Sequence, residues 1–158
     1  ENLVTPSEVQ KDSRSLRERI TTLGWPDLSE LRGGFIFWMD EPVKKTASYL
    51  EDFRKDQRLL FLSVPDDHDQ AAILVMNDPL KAFDDIRARV AEGFLVRTRA
   101  DANTVEARSA DDTRMRAAFA SGAHFISTDY YVPDERLESD YQVHFPEGGY
   151  ARQSPPLK

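Results

Sequence analysis

Along this chain, stretches with helical apolar spacing alternate with short unbroken apolar runs, and each run stops at an acidic or polar residue. Ser7 followed by Gln10 reads as a capping box, and Val9, Leu16, Ile20 and Leu23 form a loose apolar stripe that Gly24 ends. Beyond the turn-forming Trp25-Pro26-Asp27 and the Gly33-Gly34 pair, residues 35–39 (FIFWM) read as the first strand, closed by Asp40. Pro42 opens a helix whose apolar positions Val43, Ala47, Leu50 and Phe53 fall on one face. Residues 59–62 form the second strand. The run at 71–76 (AAILVM) suits a strand by its β-branched content and a helix by its Ala pair and Met; the expectation is a short helix. Pro79 starts the next helix, with Leu80, Phe83, Ile86 and Val90 facing inward and Gly93 at its stop. Residues 94–98 are the third strand. Ser109 with Asp112 reads as a second capping box, Met115, Ala118 and Phe119 face inward, and Gly122 precedes the fourth strand at 125–128. From Pro133 the chain is irregular, through Pro146, Gly148-Gly149 and Pro155-Pro156, and reads as a wrapping tail.

Strands separated by helices imply parallel β-α units, and nearly continuous apolar strands imply a sheet covered on both faces. The fold class is therefore α/β. In such folds ligands bind at the carboxyl ends of strands, whether the sheet is open or closed. Period two sorts the strand ends by face: Phe94, Val96 and Thr98 belong under helices, which sends Arg97, Arg99 and Asp101 to the opposite face. Two unpaired guanidiniums beneath a helix layer would each cost several kcal/mol. In a closed barrel that opposite face is the interior. The same logic places Asp129 inside with Phe125 and Ser127, and Asp40 with Ile36 and Trp38.

Two readings of these residues stand side by side. Arg offers phosphate a rigid fork of donors, and carboxylates orient Arg, bind hydroxyls or hold a cation, so the set suits a phosphate-bearing substrate. Equally, an Asp after a strand often caps a helix or closes a turn, and Arg97 can be a structural partner of a carboxylate.

Composition narrows the field. With 40% hydrophobic and 31% charged residues among 158, one soluble domain, or part of one, is expected. A net charge of −7 argues against nucleic acid as a partner. The absence of cysteine removes disulfides, thiolate chemistry and Cys-type zinc sites. No apolar run is long enough for a transmembrane segment, and Glu1-Asn2-Leu3, with no initiator Met, reads as the start of a trimmed or processed product. The histidines are poorly placed for acid/base work: His68 sits in the acidic loop 65–69, His124 precedes the last strand, and His144 lies in the tail. No nucleophile arrangement or phosphate-cradling Gly-rich loop is present, and no catalytic acid or base is evident.

The stretch GFLVRTRADANTVEARSADDTRMRAAFASGAHFISTDYYVPD resembles the closing region of the calcium-dependent, phosphatidylinositol-specific phospholipases C, as do GWPDLSELRGGFIFWMD and AAILVMNDP upstream. Glycerophosphodiester phosphodiesterases share an ending like Gly122, Ile126, Thr128 and Asp129, though not VRTRAD. The resemblance covers nearly the whole chain. It implies a (β/α)8 TIM-type barrel of which only the last four or so β-α units are here, in residues 1–132, with 133–158 as the wrapping tail.

The implied activity is phospholipase C cleavage of a phosphoric diester, releasing diacylglycerol and an inositol phosphate, cyclic or open, from phosphatidylinositol. The inositol 2-hydroxyl attacks the phosphodiester while a base and an acid move protons. A histidine pair and most ligands of a Ca2+ cofactor come, in that family, from the other half of the barrel, which makes that half a required partner and leaves the metal ligands here unknown. Carried onto this chain, Arg97, Arg99, Asp101, Asp129, Tyr130 and Asp40 become the substrate- or phosphate-binding residues. The arginines would contact phosphate or the inositol ring, with Asp101 and Asp129 as orienting or hydroxyl-binding carboxylates. A secreted or extracytoplasmic location and a phospholipid or small phosphodiester partner also follow from the resemblance. Gln153 departs from it, standing where the family commonly has Cys after the terminal Ala-Arg. Two alternatives remain: an enzyme of soluble phosphodiesters, and a non-catalytic barrel fragment.

Overall fold

The structure is a computed structural model, and it describes residues 2–154. The Pro155-Pro156 pair expected in the tail lies outside them. The architecture is mixed α/β, with short helices and short parallel strands, and no closed barrel forms among the described residues. The chain divides into two compact units. One comprises 1–75 with 92–95, the other 76–91 with 96–158, so the boundary crosses one strand.

In the first unit, β1 (Asn2–Leu3) pairs in parallel with β2 (Gly34–Phe35), and β3 (Trp38–Met39) with β4 (Phe61–Leu62). A parallel bridge from Ser63 to Ile73 then joins β5 (Ile73–Val75), and the Leu95 amide donates to Ala72 O at the start of β6 (Leu95–Arg99). The pairs β1–β2 and β3–β4 are thus parallel and sequential, and they belong to separate small sheets. Two helices, α1 (Pro6–Gln10) and α2 (Leu16–Leu23), bury Val9, Leu16 and Ile20, each at most 1% exposed. The one long helix expected from Ser7 onward is therefore two. Thr5, not Ser7, caps the first, in a box with Glu8; Lys11 breaks it at φ +48°; and Ser15 caps the second. Leu23, expected inside, is exposed. After Gly33, the single strand expected at 35–39 splits in two because Gly34–Phe35 and Trp38–Met39 pair with different strands. Gly34 is tight: a Cβ there would lie 2.8 Å from a Val4 methyl.

The short α3 (Leu28–Leu31) was not expected, whereas α4 (Val43–Asp52) follows Pro42 as anticipated. Its inward face differs from expectation. Ala47 and Phe53 are exposed and Thr46 is buried, because the Thr46 hydroxyl turns back toward the carbonyls of Glu41 and Pro42. The side chain of Val43 lies outside those described.

Residues 71–76, expected as a short helix, contain strand β5 instead. Ala71, Ala72, Ile73 and Leu74 are all at most 5% exposed, and a three-residue strand buried on both faces shows no alternation for a sequence reading to detect. Gly93 does end a helix. At φ +99°, with a Cβ position 2.8 Å from Ile20 O, it tolerates no side chain.

In the second unit, α5 (Phe83–Ala91) begins four residues after Pro79. The Asp78 carboxylate accepts the amides of Leu80 and Lys81 and holds a turn there, which leaves Leu80 exposed rather than on the expected inward face. Strand β6 pairs in parallel with β7 (Phe125–Ser127), in the register Arg97 with Phe125, Thr98 with Ile126 and Arg99 with Ser127. Between them lie α6 (Val105–Ser109), which the sequence reading missed, and α7 (Thr113–Ala120). The expected Ser109–Asp112 capping box is absent, since Ser109 belongs to the last turn of α6 and bonds the Val105 carbonyl. Ala118 on α7 is fully buried.

From Pro133 to Ser154 no helix or strand forms. The segment is nonetheless anchored: Tyr141 packs edge-on against Tyr130, ring centroids 5.7 Å apart, in a cluster with Ala107, and its hydroxyl donates to Ala100 O at 3.1 Å. Burial, reinforced by Asp101, pushes the Tyr141 phenol far above its ordinary range and keeps it a donor. Tyr141→Phe strands that carbonyl and is expected to lower stability by about 1 kcal/mol, read as a reduced urea midpoint with an unchanged slope.

Candidate functional site

The candidate site is built on the carboxyl end of β6. Along that strand Phe94, Val96, Thr98 and Ala100 are fully buried, while Leu95, Arg97 and Arg99 are half-buried. The pleat sends alternate residues to opposite faces, so both guanidiniums leave the packed side and share a face with Phe125 and Ser127 of β7.

Each arginine has a partner at the strand ends. Arg97 Nη1 donates to the Asn77 side-chain carbonyl, just after β5. Arg99 Nη2 lies 3.9 Å from Asp129 Oδ2, with side chains 32% and 79% exposed. That separation is too long for a hydrogen bond, and an exposed ion pair of this kind contributes little. It places a carboxylate beside Arg99 without occupying any of its five N–H donors.

Asp101 differs from expectation. Instead of standing in an open mouth beside the arginines, it is 1% exposed: its carboxylate accepts the Thr128 hydroxyl and the Asp129 amide. Thr128 in turn accepts the Tyr130 amide. Asp101 thus ties the end of β6 to the end of β7 and fixes the turn that carries Asp129. Tyr130 is 6% exposed, and its ring packs in the tail cluster with Tyr141. Asp40 is exposed after β3 in the first unit, whereas the other five candidates belong to the second.

The sequence reading missed the groups that hold this end of the unit together. Arg114 of α7 is 15% exposed and bonds Glu106 of α6 at 2.6 Å and Asp78 at 3.3 Å. Glu106 also accepts the Ala102 amide at 2.8 Å, just past Asp101. One guanidinium therefore braces the segment after β5, which carries Asn77, and the segment after β6. Burial pushes the Glu106 carboxyl up, but the amide bonds and Arg114 outweigh it and hold the group below its ordinary range. For Asp78 burial is likewise outweighed, by the amides of Lys81 and Leu80 and by Arg114. The only sequence signal for any of this was that Asn77, Asp78, Glu106 and Arg114 lie in the stretches that carry the family resemblance.

His124 lies at the amino end of β7, away from the strand ends. Its Nδ1 accepts the Val96 amide at 3.2 Å, and burial lowers its pKa. Among the described residues no group of three or more His, Asp or Glu is arranged to hold a metal ion. These side chains do not by themselves fit a resident Ca2+. No described helix is long and apolar enough to cross a membrane.

A family model described as phosphoinositide phospholipase C, Ca2+-dependent, matches residues 1–155. Neither the curated proteins nor the solved structures gave a significant match. The family match spans both units, the paired arginines and the tail, and on that extent the chain belongs to the Ca2+-dependent phosphoinositide phospholipase C family.

Proposed function

We propose that this chain supplies the phosphate-gripping side of a phospholipase C that cleaves the phosphodiester of phosphatidylinositol. The observation that carries the reading is the pair Arg97 and Arg99, two residues apart on the unpacked face of β6, each steered by a polar partner at the strand ends. In this reading Arg99 contacts a phosphoryl oxygen, and Arg97, held by Asn77, contacts phosphate or ring hydroxyls. As charge builds on the phosphoryl oxygens, donors already in place stabilise it without reorganising. Asp129 keeps Arg99 aimed, and Asp101 keeps Asp129 in position.

The chain is read here as the later strands of a (β/α)8 barrel. The parallel pairs β1–β2, β3–β4 and β6–β7, each formed by strands consecutive in sequence, support this, because strands around such a barrel pair in that way. The acid, the base and most ligands of Ca2+ then lie on strands that this chain does not contain. Diacylglycerol and an inositol phosphate are the products that follow, and the site faces a lipid headgroup.

The test is turnover of phosphatidylinositol in mixed micelles. The chain alone is expected to give no inositol phosphate above background, and adding the preceding half of the barrel is expected to restore release. Turnover by the chain alone would refute the placement of the acid and base elsewhere.

A further inference from the structure

A cavity lies in the same unit but on the other side of β7. It encloses about 410 Å³ and is lined by Ile126 and Thr128, which alternate with the Ser127 and Asp129 of the arginine face. Phe119, Val143 and Phe145 form its apolar wall, with Tyr131 and Tyr150 exposed beside it. It is therefore separate from the proposed phosphodiester site and owes nothing to that reading.

The charged and imidazole groups of this cavity favour an anionic ligand, beside neutral hydroxyls. Arg152 lies over the rings of Phe119 and Phe145, at 5.2 and 4.7 Å, and is held there by one bond to Phe119 O at 3.3 Å. The guanidinium is thus fixed in direction while keeping donors for a ligand. His124 accepts the Val96 amide through Nδ1, so the neutral ring carries its proton on Nε2 and is a donor there. His144 completes the set. Among the described lining residues there is no Asp or Glu, although 28 of the 158 residues are acidic and the net charge is −7. An apolar chamber stocked with donors and free of carboxylates is complementary to an apolar body bearing a single anionic head.

We infer that this cavity between β7 and the tail binds a small anionic amphiphile, with its hydrocarbon against Phe119, Ile126 and Val143 and its carboxylate or phosphate on Arg152. Carboxylate and phosphate share the chemistry that the site offers, and the experiment separates them.

Calorimetric titration of the folded chain with decanoate, decyl phosphate and decanol, all below their aggregation limits, tests the inference. At least one of the anions is expected to bind with a dissociation constant below about 1 mM and at least about tenfold more tightly than the alcohol, the worth of one charge-assisted hydrogen bond. The stronger anion identifies the head group. Arg152→Gln should remove that preference, and Ala151→Trp, which fills the cavity from an exposed position, should abolish binding of all three. Both variants are expected to keep a cooperative thermal transition, checked before titration. Equal binding of the alcohol and the anions, no binding by any of the three, as when another protein segment fills the chamber, or an anion preference that survives Arg152→Gln would overturn the inference.

Discussion

Arg114→Ala is expected to lower the unfolding free energy by about 3 kcal/mol, the largest loss for any single replacement considered, read from urea denaturation followed by circular dichroism. The reason is what the change leaves behind. Removing one partner of a buried pair strands the other, at a cost of about 3–5 kcal/mol. Here Glu106 is 9% exposed and Asp78 35%, which puts the loss near the lower end. Replacing Arg114 and Glu106 together by Met and Leu should recover part of it, since the buried Glu106 charge is no longer stranded, while the more exposed Asp78 and the Ala102 amide each lose a partner. The pH dependence gives an independent check. Both carboxyls are held below their ordinary values of 4.5 and 3.8, so they stabilise the fold above those values and the contribution is lost as pH falls through the lowered ones. The wild-type chain should therefore lose stability as pH drops below about 4.5, and Arg114→Ala should show a flatter profile over that range. Equal slopes would remove the Arg114 network from the explanation.

Arg99→Ala in the complete enzyme is expected to reduce kcat/KM for phosphatidylinositol by about a hundredfold, close to 2.7 kcal/mol of transition-state stabilisation. The fall should appear in kcat more than in KM, because the phosphoryl charge that Arg99 meets grows as the transition state forms. Arg99→Lys should recover part of it, since an ammonium keeps the charge and loses the fork. A change within about twofold, below roughly 0.5 kcal/mol, would end the role proposed for this residue.

The sequence made one face of β6 legible and hid its end. Phe94, Val96 and Thr98 pack away and the arginines do not, as a period of two requires while the pleat lasts. The strand stops at Arg99, so Asp101 points where its loop directs it, into hydrogen bonds with the end of β7. The partners of Tyr130 and Arg114 were illegible for a related reason. Tyr141 lies eleven residues from Tyr130 in a stretch without periodicity, and Glu106 lies eight from Arg114 on a different helix. Spacing rules reach three or four residues along one element and no further. Helix breaks were lost where caps competed. Thr5, Ser7 and Ser15 all have capping chemistry, and only tertiary packing decides which of them is used.

The course of the chain between the two units bears on its synthesis. The first unit is finished not by residue 75 but by the return of 92–95, which brings in the fully buried Phe94. A chain halted at Val75 still lacks that ring, so the early portion is expected to close its interior only once Leu95 has been made. Cutting the gene at the apparent seam would yield a sticky, half-finished product, whereas a cut after β6 would leave the early portion whole.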